Sequence, residues 1–137
     1  MKLLLLLPAD YANVTGDGKV NVMGIFNQIS AASFPARHSS MFLVIKLAAE
    51  LGEGSDNRAL TVRLVDPDGK EVVTVSGTVK IPDPVGGITP EVNAILQLTD
   101  VVFPRPGAYE FVVLVDKDHK GDAPIYVSQK APQTVKE

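Results

Sequence analysis

Apolar and polar residues alternate with a period of two along much of this chain. In Ala59–Val65, the residues Leu60, Val62 and Leu64 fall on one side of an extended backbone, with Thr61 and Arg63 on the other. In Ala108–Val115 the same alternation groups Tyr109, Phe111, Val113 and Val115 opposite Glu110. Side chains of a strand point to opposite faces in turn, so this pattern, rich in β-branched and aromatic residues, predicts half-buried strands. No segment carries a helical apolar period.

Turn chemistry sets the boundaries. A first strand is expected from Lys2 to about Val14. Pro8 lies inside it, and because proline cannot donate to a ladder it implies an edge position or a bulge. Thr15-Gly16-Asp17-Gly18 reverses the chain into a second strand, Lys19 to about Ile29, where Gly24 implies a bulge. The third strand, Met41–Leu51, turns Met41, Leu43, Ile45 and Leu47 inward. Ala59–Val65 and Glu71–Ile81 form a pair across Asp66-Pro67-Asp68-Gly69, with Val73, Val75 and Val79 inward. Three more strands are expected at Glu91 to about Leu98, Ala108–Val115 and Ala123–Gln129, the last two separated by a turn over Asp116–Asp122. Gly52–Asn57 reads as the most mobile loop. The expected domain is 1–130, and 131–137 reads as a frayed tail.

The connections over residues 30–40 and 82–90 are rich in proline or small residues and suit crossings between sheets. The expected fold is therefore all-β: a two-sheet antiparallel β-sandwich of about eight strands, immunoglobulin-like or fibronectin-like, without the Cys…Trp…Cys pattern of antibody domains. Leu43, Ile45, Leu60, Val62, Leu64, Val75, Phe111 and Val113 are its expected core.

Composition narrows the functional classes. The 137 residues are 45% apolar, enough for one domain with its own core. The net charge of −3 is scattered, and without a Lys/Arg cluster to neutralise phosphates a nucleic-acid partner is not expected. The chain has no cysteine, which removes thiol chemistry and disulfides and favours a reducing compartment. Leu3–Leu7 is shorter than a secretory apolar core and far shorter than a membrane span. It reads as a buried strand, so the expected location is cytoplasmic, with no membrane partner.

Candidate chemistry is thin. Asp116, Asp118 and Asp122 are spaced like the start of a calcium loop, but Lys120 and Val127 stand where an EF-hand needs oxygen ligands. Asp66 and Asp68 lie in another turn, which simple strand alternation sends to the opposite end. The same alternation gathers Asp17, Glu53, Asp56, Asp83, Asp116 and Asp118 at one end, beside His119, a weak pointer to a cationic partner. His38 cannot readily face the adjacent Ser39, and no nucleophile elbow, zinc helix or phosphate loop occurs, so no catalytic residue and no cofactor is expected. More informative are the apolar residues on the outward faces: Leu4, Leu6, Phe42, Val44, Val65, Val72, Val112 and Leu114. A two-layer fold leaves such positions polar unless something covers them. Phe42, Val44, Val112 and Leu114 are the interface candidates, to be covered by a second copy in a homodimer, by a protein partner, or by the chain's own crossings.

With the strands placed, four elements carry a resemblance: ADYANVTGDGKVNVMGIFNQI (Ala9–Ile29), FPARHSS (Phe34–Ser40), LVDPDGKEV (Leu64–Val72) and FPRPGAYEFVVLVD (Phe103–Asp116). Over nearly the whole chain it resembles a family of small bacterial stand-alone β-sandwich proteins of unknown function, immunoglobulin-like in general character. The resemblance implies a fold and no activity. The functional expectation is a non-catalytic cytoplasmic binding or assembly module. A calcium-modulated adhesion or ligand-binding sandwich is the alternative, and a hydrolase on the same scaffold comes third.

Overall fold

A computed structural model describes residues 1–53 and 56–130. The tail expected at 131–137, and part of the Gly52–Asn57 loop, lie outside the described residues. Among the described residues nine strands follow in order: β1 (Lys2–Val14), β2 (Val20–Ile25), β3 (Gln28–Ala31), β4 (Ala36–Ala48), β5 (Asn57–Val65), β6 (Glu71–Lys80), β7 (Glu91–Phe103), β8 (Gly107–Val115) and β9 (Asp118–Gln129). Among the described residues there is no helix, and so none long and apolar enough to cross a membrane. The strands form two sheets, β2-β1-β4-β7 and β3-β9-β8-β5-β6. All neighbours are antiparallel except β3 and β9, which run parallel.

One apolar core lies between the sheets. Met41, Leu43, Ile45 and Leu47 of β4 meet Leu60, Val62 and Leu64 of β5 and Tyr109, Phe111 and Val113 of β8, all buried. Every residue of the expected core is buried except Val75, which is only half-covered. Tyr109 also closes the corner into β8. Its hydroxyl donates to the Arg105 carbonyl at 2.6 Å and accepts from the Arg105 amide at 3.2 Å, while its ring meets Phe103 edge-on at 5.0 Å. The connection over 82–90 does cross between sheets, from β6 to β7, whereas the long one expected over 30–40 contracts to residues 32–35 between β3 and β4, because Ala36–Ser40 already pair with β7.

Several local expectations are corrected. The segment expected as one second strand divides at Phe26-Asn27 into β2 and β3, which belong to different sheets. Gly24 is not a bulge: Ala9 pairs with Ile25 and Tyr11 with Met23 in unbroken register. Its φ of 70° lets the backbone pass beneath the Asp10 side chain, whose Oδ2 would be 2.5 Å from an added Cβ. Pro8 is neither at an edge nor in a bulge, since β1 lies between β2 and β4 and Pro8 pairs in register with Leu43. Its carbonyl accepts from the Phe26 amide at 3.1 Å, so its nitrogen faces the end of the β2 ladder, where a missing donor costs little. The bulge of β1 is instead at Leu4, between Leu3 and Leu5. An extra residue reverses the faces beyond it. Leu6 therefore packs against the core, and Leu5 and Leu7 take the outward positions beside Lys46 and Val44. The turn expected over Asp116–Asp122 contracts to Asp116 and Lys117, both at positive φ, and Asp118 already opens β9.

Candidate functional site

The two flanks along which the sheets' edges come together differ. On one flank the chain closes the gap by passing directly from β2, the edge of one sheet, to β3, the edge of the other. The Phe26 amide donates to Pro8, and Asn27 accepts from the Tyr126 amide at 2.8 Å, so the passage is stitched to both sheets. Leu3 reaches across to Gly121, where any Cβ would collide with its Cδ2.

The other flank is open. There the edges are β6 and β7, which approach each other without sharing a ladder and are connected through residues 81–90. Between them lies a cleft of about 380 Å³ whose inner wall includes Leu60, Val62, Val75, Val79, Ala94 and Leu96. Alternation puts Val73, Val75, Gly77 and Val79 of β6 on the core side, opposite Leu64, Val62, Leu60 and Arg58 of β5. Gly77 contributes no side chain, and a Cβ built on it would meet nothing within 4 Å. This gap explains why Val75, Val92, Ala94 and Leu96 point inward yet remain half-exposed.

The backbone of both edges is available. The Ile81 amide bonds the Asp56 carbonyl, which fixes the odd residues of β6 as those hydrogen-bonded to β5. The amides and carbonyls of Thr74, Ser76, Thr78 and Lys80 therefore face the cleft. By the same logic the Ala49 amide on the Pro90 carbonyl turns those of Glu91, Asn93, Ile95 and Gln97 towards it from β7.

The acidic end foreseen in the sequence exists in part, and it carries its own cation. Arg58, at the start of β5, meets Asp116 at 3.0 Å and both Glu53 and Asp56 at 3.4 Å. The Met1 amino group lies 2.9 Å from Glu53. Asp116 accepts the Ala59 amide on Oδ1 and Arg58 on Oδ2. These bonds, the amide first and the guanidinium second, hold its carboxyl below the ordinary aspartate value. Glu53 is likewise lowered, first by the Met1 ammonium. Arg58 was missed as the organiser of this end, and its only signal in the sequence was a lone cation opening a strand beside an acidic loop.

Asp116, Asp118 and Asp122 do not converge. Asp116 is spent on Arg58 and Ala59, Asp118 pairs in register with Val115, and Asp122 lies 3.5 Å from His119. No group of three or more metal-ligating side chains occurs among the described residues. Asp66 and Asp68 are at the other end, as expected, where Asp68 bonds Arg105 at 2.6 Å. His38 packs against Phe26, with ring centroids 5.8 Å apart.

The four interface candidates divide between the two outer faces. Val112 and Leu114 lie on the β8 exterior, flanked in register by Arg63 and Asp122 and by Thr61 and His119. Phe42 and Val44 lie on the exterior of the other sheet, and the chain itself covers them. The β1–β2 hairpin leans over that face: Tyr11 meets Phe42 edge-on at 5.1 Å, and Asn93 of β7 donates to the Gly18 carbonyl at the hairpin tip, 3.2 Å away. Val44 is 0% exposed although it stands outside the main core, as do Ala9 and Ala12. The hairpin's own exterior carries Met23 and Ile25, 66% and 64% exposed.

A family model matches residues 4–128, almost the whole described fold. The chain belongs to DUF6941, a family of unknown function. Membership of DUF6941 agrees with the family character read from the strand and turn motifs, and it brings no activity with it. No curated protein matches the chain. Among solved structures it is similar to the Pseudomonas fluorescens alkylpurine DNA glycosylase AlkC, bound to DNA containing an abasic site analogue, with a TM-score of 0.52 and 13% identity. The match covers 93% of this chain and 30% of the glycosylase chain, so this DUF6941 protein spans under a third of that protein's length. At such identity the likeness concerns the fold alone.

Proposed function

We propose that this protein is a non-catalytic binding or assembly module on an immunoglobulin-like frame, and that the cleft between β6 and β7 is its binding element. The frame is supported by strand order and by one corner. β9-β8-β5 runs as G-F-C does in that architecture, β6 stands where variable-type domains add C′, and β1-β4-β7 runs as A-B-E. The Tyr109 hydroxyl on the Arg105 backbone, four residues upstream at the entry to the F-like strand, corresponds to a tyrosine corner. A cysteine-free composition supports a cytoplasmic setting.

The observation that carries the binding reading is the core left open along one flank. A two-layer fold gains stability by covering its apolar interior, and here apolar inward residues of two strands stay half-exposed around a cleft of about 380 Å³ that polar side chains rim. The test uses anilinonaphthalene sulfonate, an apolar fluorophore, with the folded protein. Fluorescence should rise on binding, and Gly77→Phe, which places a ring in the cleft, should abolish the rise while thermal unfolding stays cooperative. A wild-type protein that gives no rise overturns the reading.

A further inference from the structure

We propose that the occupant of this cleft is an extended peptide segment of a partner protein, added antiparallel to β6 as a sixth strand of its sheet, with apolar residues at alternate positions. This rests on the binding reading above and names the partner's chemistry.

Three observations select a strand over other occupants. First, the cleft is bounded by backbone. Thr74, Ser76, Thr78 and Lys80 present unpaired amides and carbonyls from one side, and β7 presents its own from the other. A hydrophobic small molecule leaves those groups without partners, whereas an extended chain satisfies them at the ordinary ladder spacing. Second, β6 lacks the devices that blunt sheet edges. It has ten residues, no proline, no inward-facing charge, and its one register shift lies at its first turn, between Leu64 and Val65 of its neighbour. The two edges of the closed flank are managed: β3 is four residues long, and β2 is six residues, with Gly24 at positive φ. A long regular edge is a pairing template. Third, Gly77 leaves a vacancy on the inner side. Directly opposed residues of an antiparallel pair share a face, so the incoming residue opposite Gly77 points into the gap, and those opposite Val75 and Val79 flank it.

The site therefore reads a short grammar. From Thr74 to Lys80 it spans about 20 Å, or seven extended residues. The second, fourth and sixth are apolar, with the fourth the largest. The third and fifth are uncharged, because they lie opposite Thr78 and Ser76 on the outer face. The first is acidic, opposite Lys80.

The probe is the capped heptapeptide Glu-Val-Thr-Leu-Thr-Val-Lys, titrated into the full chain and followed by amide resonances and hydrogen exchange. The expected result is saturable binding that slows exchange of the Ser76 and Thr78 amides. Replacing the central leucine with alanine should weaken binding about tenfold or more. Methylating the two threonine amides of the peptide, which removes its two central donors to β6 and puts methyl groups in the ladder, should abolish it. Thr78→Pro removes a donor that faces the cleft and leaves the β5 ladder whole, and it should abolish binding without unfolding the protein. If the methylated peptide binds as well as the parent, strand pairing is overturned. If no peptide binds at about 1 mM while the fluorophore still enters, the peptide proposal fails and the binding reading stands. If neither enters, both fail. A wild-type chain that dimerises in a manner Thr78→Pro abolishes overturns the partner peptide in favour of a second copy.

Discussion

The closed and open flanks of this molecule are built from the same two sheets and differ in how the chain passes between them. On the closed flank the crossing is two residues long, Phe26-Asn27, and both are hydrogen-bonded to the sheets they join. A short, bonded passage draws the edges together, and Leu3 fills the space against Gly121. On the open flank the crossing runs through residues 81–90, where Gly86 and Gly87 turn at positive φ and carry Val85 and Ile88 into solvent. Within that loop the Ile88 amide bonds the Val85 carbonyl, its ends bond Asp56 and Ala49, and β6 and β7 stay unpaired with each other. Two glycines mark the contrast. Gly121 is where another side chain already occupies the space, and Gly77 is where none does. An edge can thus be closed by the chain's own route or left as a receptor, and crossing length decides which.

The contrast can be broken at several points. The largest effect is expected from a pair of truncations. Ile125→Ala, in the fully buried interior of β9, should cost about 2–5 kcal/mol, whereas Val75→Ala at the open flank should cost about 1 kcal/mol or less. Equal losses in chemical denaturation would mean that the two flanks are equally sealed. Next comes Gly121→Ala, which forces Leu3 aside and should destabilise by about 1–3 kcal/mol. A neutral result would mean that Leu3 moves freely and that the closed flank is loosely packed.

Smaller, and of opposite sign, is Gly77→Ala. Its φ lies outside the left-handed region and its Cβ meets open space, so removing a flexible strand glycine should stabilise by about 0.5–1 kcal/mol. A destabilisation, read from the same denaturation curves, would show that the gap is narrower than its lining implies. The smallest effect concerns the acidic end. Asp116 and Glu53 ionise more readily in the folded state than in the unfolded one. Their contribution is therefore present above the unfolded carboxylate value, about 4, and is lost as pH falls through the lower folded value. Asp116→Asn should flatten the fall of melting temperature between about pH 5 and pH 2 and change the pH dependence near neutrality little. A profile identical to wild type would remove Asp116 from the network.

How much of this was legible beforehand can be argued residue by residue. Leu60, Val62 and Leu64, and Tyr109 through Val115, declared their inward faces because a period of two is a local property that every register preserves. The crossing over residues 82–90 was marked by its residues, and the one expected over 30–40 was drawn too long. Leu6 was misread because a single bulge at Leu4 reverses the phase, and in a run of five leucines no polar residue records the reversal. Phe42 and Val44 were correctly found on an outward face, yet a hairpin from the start of the chain covers them. The site itself was not legible. Gly77 reads as any strand glycine until β7 is known to stand across from it.

Alternation and turn chemistry by themselves determined that this is an all-β chain, where most of its strands lie and which side chains face its core, because each of those depends on neighbours within a few residues. Tertiary structure alone decided which edges meet: that β2 and β3 part company at Phe26, that Arg58 reaches Asp116 across the sheet, and that β6 and β7 face each other unpaired. These are contacts between residues far apart in sequence. Their formation depends on loop closure and on competition among all the strands at once, which no local pattern encodes.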